Sequence, residues 1–183
     1  MADTDREEIL RRLRAGNDAL RDSLNGLDES LAGRRPTPES WSVLECVEHM
    51  IASEVLLLSR LREATPRDES HEDRAREAKL EGLATNRLRR IEAPEPVLPQ
   101  GNYESLEMAM EGFARVRGET ERFVEQFNGD LRSWLVIHPL ITRPLNCYEM
   151  LLLMALHPAR HAMQIAEIRA GVADAEQARN SDY

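Results

Sequence analysis

His157 and His161 stand four residues apart in the run His157-Pro158-Ala159-Arg160-His161. On a helix that interval puts two imidazoles on one face about one turn apart, where they can chelate a single divalent ion. Metalloprotease helices use the same interval, but there a glutamate follows the first histidine, and here Pro158 does. Taken alone, the pattern is better explained by two ordinary surface or hydrogen-bonded core histidines. His49 adds a third group. It falls between Val47 and Met50 on the apolar stripe of a second predicted helix, where a polar side chain needs a partner. Three rings facing one another across two helices would supply three nitrogen ligands and leave positions open for water or substrate.

The elements that must carry these residues are helices. Only 4% of the residues are aromatic, and 31% are charged, the balance of an all-helical protein. Runs of Val, Ile, Thr and Tyr are too sparse to predict strands. From Asp5 onward Ile9, Leu13, Leu20, Leu24, Leu27 and Leu31 draw one stripe, so a first helix is expected up to Gly33, Pro36 and Pro38. Ser42-Val43-Leu44-Glu45 is a capping-box pattern that opens a second helix, with Val43, Val47, Met50, Val55, Leu58 and Leu61 facing inward and Pro66 beyond its end. A third helix is expected from about Tyr103 to Phe127 with Leu106, Met110, Phe113, Val116, Thr120, Phe123 and Phe127 inside, closed by Asn128-Gly129. A loop with Trp134, His138, Pro139 and Pro144 leads to a second capping box, Asn146 to Glu149, and a fourth helix to about Gly171.

Between the second and third helices, Pro66 to Gly101 is far longer than the usual bundle connection, so it reads as a crossover. Its charged first half has room for a short surface helix. Pro94, Pro96 and Pro99 make the second half an extended strap. Depth gives the topology. His49 lies about 10 Å from the start of its helix, and the fourth-helix pair lies about 12–21 Å from the end of theirs and about 16–23 Å from its start. The second and fourth helices are therefore expected to run antiparallel, which makes the second and third parallel and gives the crossover a structural reason. The expected fold class is all-α: one four-helix bundle with a long crossover between its second and third helices, with residues 1–183 as a single domain.

A formal net charge of −9 gives an average field that repels phosphate backbones and anionic lipids, so neither nucleic acid nor a membrane is expected as a partner. The basic clusters Arg11-Arg12-Leu13-Arg14 and Arg87-Leu88-Arg89-Arg90 sit among carboxylates and read as solvated faces. The apolar run from Met150 to Leu156 is much shorter than the ~20 residues of a membrane span. Without an apolar h-region near Met1, a cytoplasmic location is expected, with Cys46 and Cys147 as free thiols.

These residues resemble the DinB-like, or damage-inducible, metal-binding four-helix bundles over nearly the whole chain. The resemblance rests on Trp41-Ser42 with Glu45 and His49, the proline strap before Gly101, His138-Pro139, and His157, Arg160-His161 and Gln164-Ile165. It implies an up-down-down-up bundle with a divalent ion, often nickel or zinc, on His49, His157 and His161, commonly in a homodimer. Members of that family include thiol-dependent transferases and a maleylpyruvate isomerase, so the fold does not name the reaction.

Pro158 inside the fourth helix removes a backbone donor and crowds the Met154 carbonyl, and it either kinks the helix to aim His157 or loosens the site. Gln164 either orients a ligand or bonds a neighbouring helix. Cys46 is either a fourth ligand or a buried apolar thiol. His138 either lines the pocket or fixes its loop, His71 reads as exposed, and Glu45 as the capping partner. Trp41, Tyr103 and Glu107 are expected to frame a mouth suited to a small amphiphilic substrate. Two functions remain: an enzyme in which the ion lowers the pKa of a thiol or water, transferring a low-molecular-weight thiol to a small electrophile or hydrolysing a substrate, and a non-catalytic bundle in which the ion ties two helices.

Overall fold

In the computed structural model the described residues are 2–67, 73–88 and 91–181, without the side chains of 2, 176 and 178–181. His71, Arg89 and Arg90 therefore lie outside the described residues. The helices are α1 (Ala2–Leu24), α2 (Glu29–Ala32), α3 (Val43–Arg62), α4 (Arg74–Thr85), α5 (Leu106–Gln126) and α6 (Cys147–Ser181). The apolar stripes of the four long ones, α1, α3, α5 and α6, meet in two core clusters, one at each end of the bundle.

Those clusters fix the direction of each of the four long helices. Ile9 and Leu13 of α1 and Cys147 to Ala155 of α6 lie in one cluster, with Leu20 of α1 and Ile165, Ile168 and Val172 of α6 in the other. In α3 and α5 the order reverses, from Val43, Val47, Leu106 and Phe113 to Leu58, Leu61 and Val124. The bundle is thus up-down-down-up, with α3 antiparallel to α6 and parallel to α5. The crossover carries α4, N-capped by Asp73 and anchored by buried Leu80, then a 3-10 turn at Glu95–Val97. Buried Arg132 joins the crossover to the bundle: it bonds Asp5 of α1 at 2.7 Å and Glu77 of α4, and stacks on Tyr148 of α6 at 3.8 Å.

Four expectations change. The first helix ends at Leu24 because Gly26 takes a left-handed φ of +68°, where a residue with a Cβ is strained. Leu27 and Leu31 still pack on the core from the turn and α2. The last helix passes Gly171, which serves close packing instead of termination: a Cβ there would stand 3.0 Å from Pro36. A small antiparallel sheet, β1 (Thr65–Pro66), β2 (Trp134–His138) and β3 (Ile141–Asn146), replaces the expected loop. In β2 Val136 is buried and Ile137 exposed, the alternation of a half-buried strand, and Pro144 is tolerated because β3 is an edge. Finally, Val55 is 51% exposed and Glu54, one turn after Met50, occupies the inner stripe.

Candidate metal centre

Each histidine is held by its own local chemistry. The α3 N-terminus is a complete capping box: the Ser42 N–H donates to Glu45 at 2.8 Å and the Glu45 N–H to the Ser42 hydroxyl at 3.2 Å. Arg35 binds the same carboxylate at 2.9 Å. One turn into this fixed end, the buried Glu48 carboxylate accepts the N–H groups of Gly101 and Asn102 at 2.9 and 2.7 Å, pinning the strap where Gly101 turns with φ +74°. The strap in turn offers the Val97 carbonyl to His49 Nδ1 at 2.8 Å. A carbonyl can only accept, so His49 carries its proton on Nδ1 and presents a lone pair on Nε2, with the Ser53 hydroxyl 3.5 Å from it.

His157 and His161 project from α6 towards that nitrogen. Their Nε2 atoms are 3.0 Å apart, and ring centroids lie 5.3 Å (His49–His157), 5.0 Å (His49–His161) and 4.5 Å (His157–His161) from one another. One ring nitrogen from each falls within a 4.8 Å cluster, the only group of three or more potential ligands found among the described residues. Burial pushes all three imidazoles below their ordinary pKa, and for His157 and His161 the neighbouring imidazoles push further. They are held neutral, the form that binds a metal. His161 Nδ1 is buried with no hydrogen bond completed. The Gln164 side chain alone favours its protonation, against burial and the charges of His49, Arg87 and Arg160. Three convergent neutral nitrogens, two on buried rings and one on a half-buried ring, fit a divalent ion whose remaining coordination positions are not taken by protein.

The other sequence candidates separate. Trp41 lies against His49, with ring centroids 4.9 Å apart. Gln164 accepts from Arg87 at 3.4 Å, and Arg87 also binds Glu167 at 2.6 Å, so the crossover closes over α6 at this point. Tyr103 packs over Gly112 of α5. Glu107 lines a groove of about 410 Å³ between α1 and α5 that contains none of the three histidines. His138 accepts the Leu140 N–H at 3.1 Å and so fixes the β2–β3 turn. Cys46 is buried in the apolar core, its thiol pushed up to about 12 by burial, and stands outside the ligand cluster.

Sequence reasoning missed the groups around the histidines. Val97 acts through its backbone, which no side-chain pattern reveals. Glu54 and Arg117 were legible in principle: each continues a stripe, one turn beyond Met50 and Phe113 respectively.

An up-down-down-up bundle with a histidine cluster between its second and fourth long helices defines a recognisable class of helical proteins. The chain belongs to the DinB superfamily, matched over residues 12–165, a span that includes all three histidines. No curated protein matches it. Among solved structures it is similar to YfiT from Bacillus subtilis, described as a probable metal-dependent hydrolase with an unusual four-helix bundle topology, at 13% identity over 92% of this chain and 87% of that one, TM-score 0.57. It is also similar to a conserved protein from Enterococcus faecalis, at 15% identity over 92% and 96% of the two chains, TM-score 0.61. At these identities the likeness speaks for the fold.

Proposed function

We propose that this chain is a divalent-metal-dependent enzyme whose ion is held by His49, His157 and His161 and which joins a low-molecular-weight thiol to a small electrophile. The observation that carries the metal reading is the convergence of three neutral ring nitrogens within 4.8 Å, with His49 locked in the ligating tautomer by Val97. Nickel or zinc there would act as a Lewis acid that makes a thiol or water nucleophilic at neutral pH. The protein's own part is to orient the rings, keep them unprotonated and shield one side with Trp41. Its two cysteines are buried with thiols raised to about 12, so the sulfur nucleophile is one that diffuses in. A second reading, hydrolysis, is favoured by the description of YfiT.

His49→Ala, His157→Ala and His161→Ala should each abolish stoichiometric binding of zinc or nickel, while His71→Ala retains it; metal analysis of protein purified without a histidine tag provides the reading. Bacterial thiols are then offered with an epoxide, a halogenated aromatic and a Michael acceptor, to metal-loaded and chelator-treated protein in parallel. Metal-dependent conjugation that is lost in His161→Ala is the expected result. Equal rates in the two preparations would reject metal-dependent catalysis, and ester or amide hydrolysis without thiol turnover would favour the second reading.

A further inference from the structure

Pro158 has no N–H, so the Met154 carbonyl cannot receive the bond that a helix normally returns to residue i−4. Met154 is fully buried, and an orphaned carbonyl there would be costly. Arg117 of α5 fills the gap: its Nη2 donates to the Met154 oxygen at 3.1 Å. The same nitrogen binds Glu54 of α3 at 3.1 Å, and the other Glu54 oxygen accepts from Thr120 at 2.7 Å. Helix α1 closes on the same turn of α6, with Gly16 so near that a Cβ would stand 2.2 Å from the Ala155 oxygen and 3.7 Å from the Pro158 ring.

We infer that Arg117 is a positioning residue for the metal site: by taking the carbonyl that Pro158 frees, it fixes the turn of α6 from which His157 and His161 reach His49. The inference rests on the metal-binding reading above. Stability alone is a poor reason for this group. A buried ion pair is commonly no better than well-packed apolar side chains, and Arg117 Nε and Nη1 complete no hydrogen bond at all. What an apolar replacement cannot do is hold a helix carbonyl and a carboxylate of a second helix at once. His157 lies between Met154 and Pro158, inside the altered turn, and Glu54 lies little more than one turn from His49. One guanidinium therefore sets the relation of α6 to α3 beside both halves of the ligand set.

The test is a double-mutant cycle read by Co2+ titration and by the visible absorption of the bound ion. Arg117→Lys keeps a positive charge opposite Glu54 but loses the planar fork. Pro158→Ala returns an N–H to Met154. With Pro158 in place, Arg117→Lys should weaken Co2+ binding about tenfold and shift the absorption bands, as loss of a group that orients ligands does. In the Pro158→Ala background the same change should cost less than about twofold, because the carbonyl no longer depends on Arg117. Each comparison is made within one background, so any effect of Pro158→Ala itself cancels. A purely structural Arg117 would lower the melting temperature yet leave affinity and spectrum unmoved, and that result, or an equal loss in both backgrounds, overturns the inference. Should Arg117→Lys fail to fold, recovery of folding and Co2+ binding in Arg117→Lys/Pro158→Ala supports it, and failure in both overturns it. Wild-type protein that binds no Co2+ overturns the proposed function, and this inference with it. Wild-type binding with an insensitive Arg117 overturns the inference alone.

Discussion

The Glu45 carboxylate does two jobs that titrate together. Burial works to raise its pKa, but hydrogen bonds from Arg35 and Ser42 overcome that and hold it below its ordinary value of 4.5. A depressed carboxylate contributes stability that is present above the unfolded-state pKa and lost as pH falls through the folded one. Glu45→Gln, which keeps an acceptor for Ser42 but removes the charge, should therefore be less stable than wild type by about 0.5–1 kcal/mol at neutral pH. Urea midpoints of the two proteins should converge as the pH drops below about 4.5; a gap that persists in acid would mean that the charge is not its source. Capping-box residues such as these were readable because their spacing is fixed by the backbone they serve. The three histidines were readable for a related reason, an i, i+4 pair plus a polar residue on an apolar stripe. Arg117 was not singled out, because its purpose depends on a missing bond in another helix.

At the level of elements, the long helices follow from apolar periodicity, and the errors have physical causes. Asn25-Gly26 interrupts a stripe that continues through the turn, so periodicity ran past the end of α1. Trp134 to His138 carried a strand-forming apolar run, but the run is short, and Pro139 and Pro144 argued for loop. Close approach between elements is the part least visible in a sequence, and glycines separate it from flexibility. Gly16→Ala would force a Cβ against the Ala155 carbonyl, whereas Gly118→Ala in α5 meets nothing within 4 Å. The first should destabilise by about 1–3 kcal/mol through overpacking and the second should stabilise by about 0.5–1 kcal/mol through helix propensity. Thermal unfolding of both variants checks the pair: if Gly16→Ala is neutral, α1 and α6 are not in contact as described.

For the whole molecule, a ligand that meets only the native arrangement raises stability by mass action. At about 100 times its dissociation constant an ion on the three histidines contributes about 2.7 kcal/mol, which for a chain of 183 residues corresponds to roughly 5–10 °C in Tm. The shift should be absent in His161→Ala, as scanning calorimetry with and without zinc would show; an equal shift in that variant would place the ion elsewhere. No described helix is long and apolar enough to cross a membrane.

The placing of the ligands also has a consequence in time. His49 comes early in the chain and His157 and His161 late, with the crossover, α5 and the β2–β3 hairpin between them. Non-local contacts of this kind form only after the intervening chain has found its course. A chelate on these three histidines would therefore close only once α3 and α6 have docked, late in folding. Interactions absent from the transition state change the rate of unfolding and leave the rate of folding alone. An ion at this centre would behave as a clasp, not a template: it would lengthen the life of the folded molecule without hastening its birth.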